Sequence, residues 1–215
     1  MRKQFINQLN ELSQNVIKMG SLIELSTKEM VEALNTLDVD MAKKIMDRDD
    51  EVDLLEQEIE RECINIIAQQ QPVASDLREI TSIMKIVTDI ERIADQCADI
   101  SEYIIRLNKL PAIDEPVRLE PMIEAMKTMV IGVIDAFVEK DLEKADHVIA
   151  TDDGVDKHFK KIKKDLAKMV KKDSNTVEQV ICYLMIAKYI ERMADHATNI
   201  AEWVKFIVTG VLTIG

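Results

Sequence analysis

Breaks are scarce in this chain, and their positions decide most of what it can become. Its 215 residues include only five glycines and four prolines. Strands need turns, and turns draw on those residues, so a sandwich or barrel is disfavoured. The stretches between breaks are rich in Leu, Ile, Met, Ala, Glu and Lys, with aromatics at 4%. That is the composition of long helices.

The breaks parse the chain into six helices. A first helical pattern runs from about Lys3 to Leu37, and Asp38 reads as the N-cap of the next. The second runs to about Gln70 and stops at QQQPVASD, where Pro72 cannot continue it. Asp76 then reads as an N-cap, with Glu79 completing a capping box, and a third helix reaches about Asn108. Pro111 and Pro116 bracket a linker, LPAIDEPVRLEP. After it the plan returns. A helix spans about Pro121 to Lys140, Asp141 caps the next, and that one ends near Lys172. KKDSN is a turn in which Asn175 and Glu178 form another candidate capping box. The last helix reaches about Thr209, where Gly210 can end it.

The two halves are copies. DVDMAKKIMDRDDEVD (Asp38–Asp53) aligns with DLEKADHVIATDDGVD (Asp141–Asp156) at an offset of 103. DIERIADQCADISE (Asp89–Glu102) aligns with YIERMADHATNIAE (Tyr189–Glu202) at an offset of 100, with half the positions identical. A period near 100 is too long for a solenoid. The expected fold is all-α: two tandem, pseudo-symmetric three-helix bundles packed side by side, residues 1–110 and 111–215.

In the third helix Ile80, Met84, Val87, Ile90, Ala94, Cys97, Ser101 and Ile104 form an apolar seam of coiled-coil spacing. The second helix offers Ile45, Asp49, Val52, Glu56, Ile59, Cys63 and Ile66. Two acids interrupt that seam. In the second copy Glu56 becomes Phe159, but Asp152 keeps the acid of Asp49.

Residues four apart share a helix face. Asp49 and Asp53 pair in this way, as do Glu91 and Asp95, and Asp99 extends the second row. The second copy repeats the rows as Asp152 with Asp156, and Glu191 with Asp195, followed by Asn199. If the rows of one bundle face each other, four or five carboxylates converge. Protons, arginines or a multivalent cation must then compensate them. Arg92 and Arg192 follow the glutamates, but ~100° around the helix, so they neutralise only in part. Oxygen donors suit hard cations. No Glu-x-x-His accompanies His147, His158 or His196, so a ferritin-type di-iron signature is missing. A single acidic pair is ordinarily a solvated face. Recurrence in both copies, with one member in the seam, favours metal binding.

The formal charge of −12 leaves no general basic surface for nucleic acid. Cys63, Cys97 and Cys182 are scattered, without a Cys-x-x-Cys, which fits a reducing cytoplasm and no thiolate zinc site. No apolar run approaches ~20 residues and the N-terminus has no apolar signal region, so neither a span nor a signal peptide is expected.

The strings IERIAD and YIERMADHATNIAE, with D-D-x-V-D upstream in both copies and DLREI from Asp76, resemble the PhoU family of phosphate-uptake regulators over essentially the whole chain. The resemblance implies paired three-helix bundles, a non-enzymatic cytoplasmic regulator, and a homodimer. It implies contact with the ATPase subunit of the phosphate ABC transporter and with a phosphate sensor histidine kinase, and membrane association only through these partners. It also implies metal (iron, zinc, magnesium or calcium) at Asp49/Asp53, Glu91/Asp95, Asp152/Asp156 and Glu191/Asp195. This sequence departs from the family pattern in having Ala94 and Ala194 where glycine is common, and Asp99 where Asn199 is the usual residue. The added acid should make the two clusters differ in metal affinity. The rival readings are a carboxylate-bridged metalloenzyme and a metal-free scaffold.

The segment from Lys157 to Lys172, KHFKKIKKDLAKMVKK, is a basic helix in an acidic protein. A solvated face is its ordinary reading, and docking to an anionic membrane or acidic partner the alternative. His196 reads as capped or solvated before it reads as a ligand. Cys97 and the twelve methionines read as core. Gly154 suggests a close helix approach beside Asp152 and Asp156.

Overall fold

A computed structural model describes residues 2–113, 116 and 118–212. It contains α1 (Arg2–Thr36), α2 (Val39–Gln70), α3 (Ala74–Asn108), α4 (Leu119–Glu139), α5 (Leu142–Lys172), a 3₁₀ turn (Ser174–Thr176) and α6 (Val177–Thr209). Among the described residues there is no strand. The fold is all-α, two tandem three-helix bundles. Part of the expected linker, Asp114, Glu115 and Val117, lies outside the described residues, as do Met1 and the last three residues.

Two of the four expected caps form. The Asp38 carboxylate accepts from the Asp40 and Met41 amides, both at 2.9 Å. Asp141 accepts from Glu143 and Lys144 at 2.8 and 3.1 Å. The turn before each cap is duplicated with it. Leu37 and Lys140, 103 residues apart, both take the left-handed conformation at φ 53° and 52°. The Asp38 and Asp141 amides then reach back to Ala33 and Ala136 carbonyls at 3.1 and 3.0 Å. A non-glycine residue in that region costs ~1–2 kcal/mol. The cap and the returning hydrogen bond offset it.

The other two capping boxes do not form. α3 begins earlier, at Ala74, with Val73 as an N-cap that supplies no side-chain bond, and Asp76 sits in the first turn. There the carboxylate favours the helix dipole without closing the end. Before α6 it is Asp173 whose carboxylate accepts from the Asn175 amide, at 2.9 Å, and holds the 3₁₀ turn. Gly154 also departs from expectation. A Cβ built there meets nothing within 4 Å, whereas close approaches occur at Gly20 against Ile134, Gly132 against Val148 and Gly210 against Arg78. Gly210 does end α6, at φ 74°.

α3 carries the seam expected of it, apart from Met84, which is only half-buried, and a second buried stripe as well. Ile86, Ile93, Ile100 and Leu107 are almost wholly buried and share the face that bears Asp89. That face meets α6. Asp89 Oδ1 accepts from His196 Nδ1 at 2.8 Å and from Asn199 Nδ2 at 3.2 Å. Ten residues on, Asp99 is hydrogen-bonded to Tyr189. The 100-residue offset exchanges these two contacts, since Asp89 is equivalent to Tyr189 and Asp99 to Asn199. α3 and α6 are therefore antiparallel about a pseudo-two-fold that passes between Ala94 and Ala194. Both alanines are buried, at 4% and 0% exposure. On α2, Leu55 is buried and Glu56 stays at the edge of the seam.

Candidate metal centres

The two acidic rows of the first bundle face each other. Asp49 and Asp53 on α2 and Asp95 on α3 each place one carboxylate oxygen within 4.8 Å of the other two. With metal–oxygen bonds of ~2.0–2.6 Å, oxygens that far apart can surround a single ion. Asp49 Oδ1, Asp53 Oδ1 and Glu91 Oε2 are buried and accept no hydrogen bond. Buried oxygens of this kind are normally paired. Glu91 Oε2 does lie 3.3 Å from Arg92 Nε, a charge contact without hydrogen-bond alignment.

The electrostatics show what this convergence costs. Burial, then repulsion from Asp95 and Asp53, pushes the Asp49 carboxyl up to about 7. Burial and Asp95 push Glu91 up to about 7 against the opposing pull of Arg92. Burial raises Asp53 as well, with Asp95 adding to it. Asp99 is raised first by burial and then by Glu102, while its bond to Tyr189 works against the shift. Arg92 does more than its position on the helix suggests. Its side chain bends back to bond Asp95 Oδ2 at 2.6 Å while touching Glu91. Its bond goes to Asp95, its pull on Asp53 is outweighed by burial, Asp95 and Asp50, and Asp49 is left without a compensating cation.

A raised carboxyl sets the sign of a pH effect. Between its unfolded value and about 7, the folded protein holds protons on Asp49 and Glu91 that the unfolded chain releases. Stability of the metal-free protein therefore falls as pH rises from about 4 to about 7, and levels off above that. Thermal melts in chelator should give a higher midpoint at pH 5.5 than at pH 7.5. Asp49→Asn should reduce that difference. An unchanged slope in the variant would assign the effect to net-charge repulsion instead.

The second bundle is built alike and tuned differently. Burial, then Asp195 and Asp156, raises Asp152 to about 6. Burial raises Glu191, with Asp156 the main neighbour, and Asp195, with Glu191 the main neighbour. These four groups feel one another, but among the described residues no three of them come within ligating distance. One cause is visible. Lys160 donates to Asp156 Oδ2 at 2.8 Å, and its first-copy equivalent is the neutral Gln57. Asn199 is spoken for by Asp89 on α3. His196 is likewise held by Asp89, the capped role its sequence context favoured.

Three participants were not among the expected site residues. Glu56, near Thr88 and raised by burial, adds its charge beside Asp53 and Glu91. Its place as a seam acid was the signal. Asp89 and Tyr189 have no motif of their own, and only the pairing of α3 with α6 reveals them.

Tandem three-helix bundles, with carboxylate rows facing each other across α2/α3 and a looser counterpart across α5/α6, define the class of fold and site. The chain belongs to the PhoU family: the PhoU domain model matches residues 16–104 and 119–204. A phosphate-specific transport system accessory protein PhoU homolog of Clostridium acetobutylicum is 39% identical over 210 residues, covering 97% of this chain and 96% of the relative. A PhoU homolog of Aquifex aeolicus is 36% identical over 185 residues, 86% of this chain and 84% of the relative. The crystal structure of PhoU from Pseudomonas aeruginosa superposes with a TM-score of 0.93 at 32% identity, covering 96% of this chain and all of that one. The phosphate transport system regulatory protein PhoU from Streptococcus pneumoniae gives 0.90 at 27% identity, over 98% and 100%.

Proposed function

We infer that this chain regulates phosphate uptake and phosphate-responsive signalling from the cytoplasm, through protein–protein contact. The partners are the ATPase subunit of a phosphate ABC transporter and a phosphate sensor histidine kinase, and the working unit is a homodimer of chains divided at residues 110 and 111. The observation that carries this reading is end-to-end similarity: relatives described as phosphate-specific transport system accessory proteins align with both bundles and their junction. Among the described residues no helix is long and apolar enough to cross a membrane, so contact with the transporter is made from its surface.

Metal belongs to the first cluster. Asp49, Asp53 and Asp95 hold the ion, Glu91 and Asp99 complete or border its shell, and the all-oxygen donor set suits magnesium, calcium, manganese or iron better than zinc. A bound ion would supply positive charge that joins α2 to α3. Asp152, Asp156, Glu191, Asp195 and Asn199 form the weaker counterpart, already part-neutralised by Lys160. The test is affinity capture from cells grown with and without phosphate. Transporter ATPase and kinase subunits should be recovered, in amounts that change with phosphate. Recovery of neither would overturn the reading.

A further inference from the structure

The duplication supplies an internal control for the basic segment of α5. Lys157, Lys161, Lys164, Lys168 and Lys171 are spaced four, three, four and three apart, so they form one stripe along about 21 Å of a single helix face. All five are exposed. Among the described residues α5 packs only on α4, α6 and the 3₁₀ turn, so this face is turned away from them. Lys157 and Lys168 touch Asp153 and Asp165 on their own helix, at 3.8 and 2.9 Å, exposed pairs that contribute little. Lys161, Lys164 and Lys171 make no ion pair with any described residue.

Folding does not require the stripe. At the same five places α2 carries Leu54, Glu58, Arg61, Asn65 and Ala68, and it builds the same kind of helix in the same kind of bundle. The helix dipole favours a cation only in the last turn, which accounts for Lys171 and not for the other four. Solubility does not explain it either, because these lysines already count in the net charge of −12 and lower its magnitude.

The geometry points to a face of α5 that docks directly on an anionic phospholipid surface, beyond any membrane contact made through protein partners. The stripe is straight, so its ammonium groups can reach one plane together. It contains no arginine. Lysines on flexible stems suit a fluid array of lipid phosphates, whereas a fixed pattern of acids on a protein favours the guanidinium fork. Ile162 and Leu166 of α5 are buried inward and Phe159, Met169 and Val170 pack against the core, so the apolar side of the helix faces the bundle and the contact is electrostatic. The acidic faces elsewhere do not prevent it, since at ~0.1 M salt charges beyond ~10 Å are screened.

The experiment is co-sedimentation of the full chain, in chelator, with phosphatidylcholine vesicles that contain or lack phosphatidylglycerol. The protein should partition at least ~10-fold more onto the anionic vesicles in about 50 mM salt and lose that preference in about 300 mM. The variant K157Q/K161Q/K164Q/K168Q should lose it at low salt, while K43Q/K44Q on α2 keeps it, with melting curves showing that both are folded. Equal partitioning onto the two vesicles would overturn the proposal, as would undiminished binding by the quadruple variant. So would retention of a DNA duplex through the stripe in preference to lipid. None of these outcomes depends on the capture experiment, so the two readings fail separately.

Discussion

Manganese or iron(II) added to chelator-treated protein is expected to raise its melting midpoint by roughly 5–10 °C at saturating concentration. The estimate follows from mass action. A ligand at about one hundred times its dissociation constant adds ~2.7 kcal/mol, and ~1 kcal/mol shifts a protein of this size by ~2–4 °C. The cause is local. Three buried carboxylate oxygens accept no hydrogen bond, and two of the groups are held near 7 because their ionised forms lack compensation. A divalent ion provides it and displaces the protons, so the shift should shrink as pH falls below about 7. Asp49→Ala combined with Asp95→Ala should abolish the response. Asp152→Ala with Asp195→Ala should leave most of it, because the second cluster does not bring three carboxylates together. Differential scanning calorimetry with direct metal analysis decides the matter. A response insensitive to the first pair of substitutions would remove the first cluster from consideration.

The second large effect concerns the junction of the bundles. Ile93→Ala is expected to cost ~2–5 kcal/mol, because Ile93 is fully buried and its removal leaves a cavity. That corresponds to a fall of about 4–20 °C in melting midpoint. Ile93 adjoins Ala94 at the pseudo-two-fold and lies on the face of α3 that meets α6. The loss should therefore loosen one bundle on the other. Hydrogen exchange should rise across the facing stretches of α3 and α6 before it rises in α1 or α4. A uniform increase over all helices would show that the bundles do not separate ahead of global unfolding.

Much of this architecture was readable from residues alone. Proline and glycine at the breaks located the helices to within a few residues, and Asp38 and Asp141 were recognisable as caps because each follows a helix end and opens a new periodic run. Asp76 and Asn175 had the fuller pattern, a capping box with Glu79 and Glu178, and neither forms it. A polar side chain just inside a helix start and one at the cap look alike when a glutamate stands three residues on. The facing of the acidic rows in the first bundle followed from a seam position occupied by Asp49. Asp99 led to the expectation that the two clusters differ, but not that the second would bring no three carboxylates together, although Lys160 stands four residues beyond Asp156 and marks an ordinary helical ion pair. The second buried stripe of α3, and the bonds of Asp89 and Tyr189, depend on the register between two helices about 100 residues apart. No local pattern encodes that register.

The half-turn relating the two bundles has a corollary for whatever binds this molecule. A partner sensitive only to contour would meet the same profile twice and settle in either of two inverted poses. Charge removes the ambiguity: the outer rod of one half presents a face of mixed and mostly uncharged residues where its twin presents a row of ammonium groups. Shape makes the two halves interchangeable, and polarity gives the assembly a direction.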